Sequence, residues 1–316
     1  MKSFPVLILI SLLMVACSRN KVVTLKPYGY EVYHNLTIEK GDLVAVFVDN
    51  SEMPPYHRAG YNGIAELYHL NQNSSLLVPA YAGFNLEHIF SGDSLEQLFE
   101  PRVNPMKLYK KSGSEVLLHQ EKTPVSGVET LTRFKMVEPH YIDIIFSCIL
   151  HDRDYFKNGY AGFFWASYIN EPPDKSIYFR GVTGDGFTPD WIQAFSESHG
   201  IKSTHVGMDD EHEFYFAPNF RISLASNFSD YRFSQPFYFG RFHNMALAFF
   251  FDSSEVIRFT QSPTGGGRTN PAWDFQYLIP GAEPGKEYSF KARIVYKPFV
   301  SEDDIEHEYK MWIKNK

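Results

Sequence analysis

The stretch Tyr141-Ile-Asp-Ile-Ile-Phe-Ser-Cys-Ile-Leu150, followed after a polar link by Tyr160-Ala-Gly-Phe-Phe-Trp-Ala-Ser-Tyr-Ile-Asn170, decides the fold. In the first run Ile142, Ile144, Phe146, Cys148 and Leu150 alternate with Tyr141, Asp143, Ile145 and Ser147. In the second, Ala161, Phe163, Trp165 and Ser167 alternate with Tyr160, Gly162, Phe164, Ala166 and Tyr168. A period of two is the mark of a strand, because successive side chains leave on opposite faces. Asp152, Arg153, Asp154, Lys157 and Asn158 read as a turn between the runs, which predicts an antiparallel pair. Large apolar groups on both faces predict that the pair is covered on both sides. Asp143, Ser147, Tyr160 and Tyr168 must then find partners or face a cleft.

The alternation recurs outward along the chain, at residues 30–39, 43–48, 128–137, 245–251 and 288–296, with Gly- and Pro-marked turns between. Residues 213–216 and 221–224 also read as strands, and residues 203–210 as a polar loop. Residues 95–99 read as one helical turn. Residues 189–195, with Asp190 as cap, read as a short helix. Residues 302–316 read as an exposed helix anchored by Trp312. Many strands at short spacing, with few short helices, predict a mostly β chain built as one large antiparallel β-sandwich. The 28 Phe and 20 Tyr in 316 residues support that class, since aromatic side chains favour pleated, half-buried surfaces. A net charge of −7 offers no basic excess for phosphates, so nucleic acid is not an expected partner.

The first residues carry an address. After Lys2, residues 5–15 form an apolar run too short to span a bilayer comfortably. It closes in Leu12-Leu-Met-Val-Ala-Cys17-Ser, which resembles a bacterial lipoprotein signal, with Met14 where Leu is usual. The resemblance implies a signal peptide over residues 1–16, a lipidated Cys17 and a tether over residues 17–27. It also implies a place in the cell envelope, at the outer membrane or cell surface, with the lipid as the sole membrane contact. The β domain would then cover residues 28–300 and a helical tail residues 301–316. With one thiol lipidated, Cys148 has no partner for a disulfide and reads as a small buried hydrophobe.

The segment Ile279-Pro-Gly-Ala-Glu-Pro-Gly-Lys-Glu-Tyr-Ser-Phe-Lys-Ala-Arg-Ile-Val-Tyr296 resembles the closing strands of galactose-mutarotase-like β-supersandwich proteins. Phe164-Trp-Ala-Ser-Tyr-Ile-Asn170, Ser262-Pro-Thr-Gly-Gly-Gly267 and Ala272-Trp-Asp-Phe-Gln276 resemble bacterial secreted proteins without an assigned reaction. The fold so implied has a concave sheet face that often holds sugars, in epimerases, lyases and hydrolases alike. Mutarotases use a C-terminal glutamate and a mid-chain histidine. Glu255 and His140 or His151 stand at loosely comparable places, and position alone carries no role over.

Several residues are candidates for chemistry on a carbohydrate ligand. His140, Tyr141 and His151 form a titratable group around the first strand, and histidine passes protons near neutral pH. His57 and Arg58 lie on a Pro/Gly-rich loop with Tyr56 and Tyr61, suited to a sugar ring or a carboxylate. Glu87-His88, Arg102, Trp165, Tyr168, Arg241 and His243 are further candidate contacts. Against each stands a plainer role: core packing, a strand end, or a loop pinned by its own side chains. His205, Asp209 and His212 offer ligand types for a divalent ion, but their spacing matches no metal motif and a solvated acidic loop is preferred. No cofactor is expected. The Gly265-Gly-Gly-Arg268 loop lacks the Lys-Ser/Thr of a phosphate loop. Binding or processing of a carbohydrate in a sheet-lined cleft is the leading functional expectation. A non-catalytic glycan-binding or structural lipoprotein is its rival.

Overall fold

The two runs that opened the sequence are both strands, but they do not pair with each other. The structure, a computed structural model, describes residues 24–93, 97–152, 154–253 and 256–316. The signal, Cys17 and the start of the tether lie outside the described residues, as do Arg153 and Glu255.

The first strands are β1 (Val32–Tyr33), β2 (Asn35–Lys40), β3 (Leu43–Val48), β4 (Gly63–His69) and β5 (Asn85–Phe90). A short helix α1 (Glu100–Val103) leads to β6 (Met106–Ser112), β7 (Glu115–Gln120), β8 (Val128–Val137), β9 (Tyr141–Leu150) and β10 (Tyr160–Ala166). Then come β11 (Ile177–Thr183), β12 (Asp190–Ala194), β13 (Thr204–Gly207), helix α2 (Ser223–Ser226) and β14 (Phe228–Phe233). The chain closes with β15 (Phe237–Phe242), β16 (Met245–Phe251), β17 (Ile257–Ser262), β18 (Ala272–Pro280), β19 (Glu287–Pro298) and helix α3 (Glu302–Lys314).

Among the described residues, sixteen strands form one sheet in the order β1-β6-β7-β8-β9-β19-β16-β15-β11-β14-β13-β17-β18-β10-β5, with β12 beside β11. Its pairings are antiparallel except β13 with β14. A second sheet, β2-β3-β4, shares the main core through Ile38, Phe47 and Leu67. The large sheet folds back on itself. Phe146 of β9 meets Trp165 of β10 edge-on at 4.8 Å, and Phe251 of β16 meets Phe275 of β18 at 4.8 Å. The two halves are therefore the layers of a sandwich, and the 151–159 link crosses between layers instead of making a hairpin.

The alternation within each run holds. Ala161, Phe163 and Trp165 enter the main core, while Tyr160, Phe164, Ala166 and Tyr168 join a second apolar cluster on the outer face. The outer-face position between Tyr160 and Phe164 is a glycine, Gly162, because a Cβ there would lie 2.4 Å from the Phe90 ring. On β9, Asp143 stands opposite Arg293 of β19, and the two pair through Arg293 Nε–Asp143 Oδ1 at 2.6 Å and Nη2–Oδ2 at 3.0 Å. Cys148 is fully buried, and burial pushes its thiol far up in pKa.

Local readings were overturned at several places. Residues 190–194 form a strand whose register with β11 buries Ile192 and Ala194, in place of a capped helix. The helical turn expected over residues 95–99 lies partly outside the described residues; residues 97–99 are bend and turn, and a helical turn follows at Glu100–Val103. Residues 204–207 are a strand, and residues 223–226 a single helical turn. Residues 213–216 form no strand; Phe214 and Phe216 lie over Tyr160 at 4.6 and 6.3 Å. Helix α3 is present, capped by Ser301 Oγ, which accepts from Asp304 N–H. It buries Ile305 and Tyr309 on the outer side of β15 and β16, against Phe237 and Phe250.

Candidate active-site cleft

The outer face of β5, β10 and β18 forms the floor of a cavity of about 290 Å³. Alternation along β18 sends Trp273, Phe275 and Tyr277 into the core and leaves Ala272 and Asp274 on the cleft side. On β10 the same rule brings up Ala166, with Tyr168 just beyond the strand. Strand β5 departs from the rule. Phe164 pairs with His88 and Trp165 with Leu86, so the ladder steps over Glu87. That bulge puts Glu87 and His88 side by side on the cavity wall, where strict alternation would have sent one of them to the core. Helix α1 supplies Arg102, and the segment before α2 supplies Arg221. Just past β5, Gly92 lets the segment at Tyr215 approach: its φ is +77°, and a Cβ there would lie 1.9 Å from the Tyr215 carbonyl oxygen.

A connected polar group occupies this wall. Arg102 Nη1 donates to Glu87 Oε1 at 2.9 Å, and the Tyr168 hydroxyl donates to the same oxygen at 2.7 Å. The Arg102 guanidinium also lies over the Tyr61 ring at 3.9 Å and the Phe99 ring at 4.7 Å. Burial opposes the charge on Arg102, but Glu87 together with the Tyr61 and Tyr168 hydroxyls outweighs it and raises the pKa of the group. Burial, with Glu87 beside it, raises the Tyr168 hydroxyl far above its usual range, so it acts as a donor.

His88 is buried, and burial lowers its pKa despite Glu87. Its Nδ1 lies 2.5 Å from the Leu98 carbonyl, which can only accept, so neutral His88 carries its proton there. The bare Nε2 is 3.9 Å from Glu87 Oε2. Asp274 is 1% exposed. Its Oδ1 accepts from Ser167 N–H at 3.0 Å, while Oδ2 has no hydrogen-bond partner among the described residues. Burial drives this carboxyl well above the ordinary aspartate range, the Ser167 bond opposing and Glu87 adding to the rise. The cleft thus sets a carboxyl whose pKa burial raises beside a carboxylate held by two donors and an imidazole whose pKa burial lowers.

The sequence candidates scatter around this arrangement. His88, Arg102 and Tyr168 converge in it. His140 and His151 flank opposite ends of β9 and do not meet. His140 lies 3.6 Å from both Asp42 Oδ2 and Glu308 Oε1, and the Tyr141 hydroxyl donates to Glu308 Oε2 at 2.7 Å, so both brace helix α3. His151 Nε2 donates to Glu129 Oε2 at 3.0 Å; Glu129 Oε1 accepts from His119, Thr24 and Leu25 N–H, pinning the chain near residue 24.

His57 is buried with both ring nitrogens on the carbonyls of Tyr81 and Tyr61. Arg58 is exposed beside a separate open depression, 5.6 Å from the Tyr81 ring. Trp165 is core, stacked on Phe275 at 4.9 Å. Arg241 covers Phe299, and His243 sits at the β15–β16 turn with φ +55°. Neither lines the cavity. His205, Asp209 and His212 do not converge. His205 is buried on Ser229 with its pKa driven to about 3 by burial, Asp209 is exposed, and His212 Nδ1 lies 3.1 Å from Asp210. Asp210 itself pairs with Arg258 in the interior. Among the described residues no group of three or more His, Cys, Asp or Glu is placed to hold a metal ion.

Sequence reasoning missed Asp274, Arg221 and His199 as cleft residues. Asp274 left a signal: a charged residue at the period-two position between Trp273 and Phe275. Arg221 and His199 left none, because they arrive on irregular segments.

No family model matches the chain, and no curated protein does. Solved structures align with it at low scores. The chain is similar in fold to aldose epimerase structures. Two structures named for these enzymes, from Escherichia coli K12 and C. elegans, each align at 10% identity over 86% and 85% of this chain and 100% of theirs, with TM-scores of 0.49 and 0.48. A mutant heparan sulfate lyase from Pedobacter heparinus aligns at 9% identity over 89% of this chain and 37% of that one, with a TM-score of 0.44. These scores transfer neither a residue role nor a reaction, and the chemistry has to be read from the cleft itself.

Proposed function

We propose that the protein binds a saccharide in this cleft and acts on it by proton transfer, with Asp274 as acid and Glu87 as base. The observation that carries this is the convergence of Asp274, whose Oδ2 is unpartnered, with the Glu87–Arg102–Tyr168 group on one wall. A carboxyl whose pKa is raised by burial keeps its proton to higher pH than an ordinary aspartate does, and so has one to donate. Arg102 and Tyr168 hold Glu87 in position through two hydrogen bonds, and His88 stands next to it as a second acceptor. The Tyr61, Phe99 and Tyr168 rings give apolar surface for the C–H faces of a sugar, while the polar groups fix its hydroxyls.

The non-catalytic reading draws on one observation: Glu87 Oε1 already accepts from two donors. An oligosaccharide screen by calorimetry, followed by product analysis, separates the two. The enzyme reading expects turnover by the natural chain, with binding kept and turnover lost in Asp274→Asn and Glu87→Gln. Binding without any product favours the non-catalytic reading, and absence of binding to every saccharide removes both.

The lipid anchor at Cys17 is part of the same proposal. It is supported by the Leu12–Cys17 pattern and by the attachment of Thr24, seven residues on, to Glu129. Metabolic labelling with a fatty acid tests it, and Cys17→Ala is expected to release the protein from membranes.

A further inference from the structure

Resting on the saccharide reading above, we infer that the ligand is an anionic sugar, carrying a carboxylate or a sulfate, and that Arg221 is the residue that selects it. The charges facing the cavity make the case. Arg102 is cancelled by Glu87 through their 2.9 Å contact. Asp274 is 1% exposed, with one oxygen unpartnered among the described residues, and burial without a counter-charge disfavours its ionised form. His199 is tied through Nδ1 to Ser262 Oγ at 2.8 Å, leaving Nε2 without a hydrogen-bond partner among the described residues.

Arg221 remains. It is exposed, lines the same cavity, and has no ion pair or hydrogen bond to its side chain among the described residues. Three other arginines are spent on protein groups: Arg258 on Asp210, Arg293 on Asp143, and Arg232 on the carbonyls of Gly207, Met208 and Asp210. The backbone that presents Arg221 is fixed, because Ile222 and Leu224 immediately after it are buried in the cluster that underlies the cleft. A chain of net charge −7 therefore shows an uncancelled cation at its polar cavity. A guanidinium fork matches the paired oxygens of a ring carboxylate or sulfate, and a neutral sugar leaves it unpaired.

The discriminating experiment is calorimetric titration of the full chain with uronic-acid, sulfated and neutral oligosaccharides of equal length, repeated for Arg221→Met and Arg221→Lys. The expected result is preference for one anionic class. Arg221→Met should weaken that class by about ten- to a hundredfold while neutral sugars change less than about twofold, and Arg221→Lys should restore part of the loss. Unchanged thermal unfolding of Arg221→Met confirms that its fold is intact. Neutral sugars binding as tightly as anionic ones, or equal weakening of both by Arg221→Met, overturns the inference and leaves the saccharide reading standing. No binding of any sugar overturns both.

Discussion

Tyr168 donates its hydroxyl to Glu87 Oε1 at 2.7 Å, the oxygen that also takes Arg102 Nη1 at 2.9 Å. The three side chains come from the end of β10, from β5 and from α1, so one carboxylate oxygen joins three separate elements at the cavity wall. Tyr168→Phe keeps the ring against Tyr61 and Tyr81, at 5.7 and 4.9 Å, and deletes only the donor. A buried hydrogen bond to a charged group contributes about 1.5–3 kcal/mol. Urea unfolding should show a loss of that size, and saccharide affinity should fall with it. An unchanged midpoint would show that the bond adds nothing.

Asp274 sets a second expectation, in pH. Its folded carboxyl lies well above the unfolded value of about 3.9, so the folded chain binds more protons than the unfolded one just above that pH. Its favourable contribution is complete below about pH 3.9 and is lost as pH rises through the folded value. Asp274→Asn places a neutral amide at the same site. Its stability relative to the natural chain should therefore grow as pH rises from about 4, by up to about 1.4 kcal/mol per pH unit, until the folded carboxyl has ionised. Denaturant titrations from pH 4 to 8 check this, and a difference that does not vary with pH rules the shift out.

The sandwich could be read from alternation, because the period of two at residues 142–150 and 161–167 states which side chains share a face. Partner choice could not. The polar link at residues 151–159 looks the same whether it turns a hairpin or crosses between layers; the separate partners of β9 and β10, with Phe146 meeting Trp165 edge-on across the core, tell them apart. Asp190 looked like a cap because caps and strand starts share residue types, and the pairing of Phe179 with Ile192 overruled it. His88, Arg102 and Tyr168 were picked out one by one as ligand-binding types. Their meeting depended on the bulge at Glu87, which is a property of pairing with β10 and has no local spelling.

Trp165 separates core from cleft. Its indole lies between Phe275, stacked at 4.9 Å, and Phe146, edge-on at 4.8 Å, and none of it reaches the cavity. Trp165→Ala should cost about 3–5 kcal/mol of stability. Trp165→Phe, which keeps a ring in the slot, should cost less and leave saccharide affinity unchanged in the folded fraction. Affinity that falls in Trp165→Phe at constant fold would return this residue to the ligand-binding set.

Glu308 holds the C-terminal helix. Burial alone would raise its carboxyl, but His140, Lys297 and Tyr141 outweigh burial and hold it at about 2. Lys297 Nζ lies 2.5 Å from Glu308 Oε1, and the Tyr141 hydroxyl 2.7 Å from Oε2. A depressed carboxyl stabilises the fold above its unfolded value near 4.3, and that stabilisation is lost as pH falls toward 2. The loss amounts to about 3 kcal/mol at most. It should be felt first where α3 rests on Phe237 and Phe250, so the helix should become susceptible to an acid protease before the sandwich does. Glu308→Gln keeps the size and removes the charge, so with a protease active at neutral pH it should show at pH 7 the early helix cleavage that the natural chain shows with an acid protease near pH 3. If the variant resists cleavage at pH 7 as well as the natural chain does, apolar packing of Ile305, Tyr309 and Trp312 holds the helix without help from this charge.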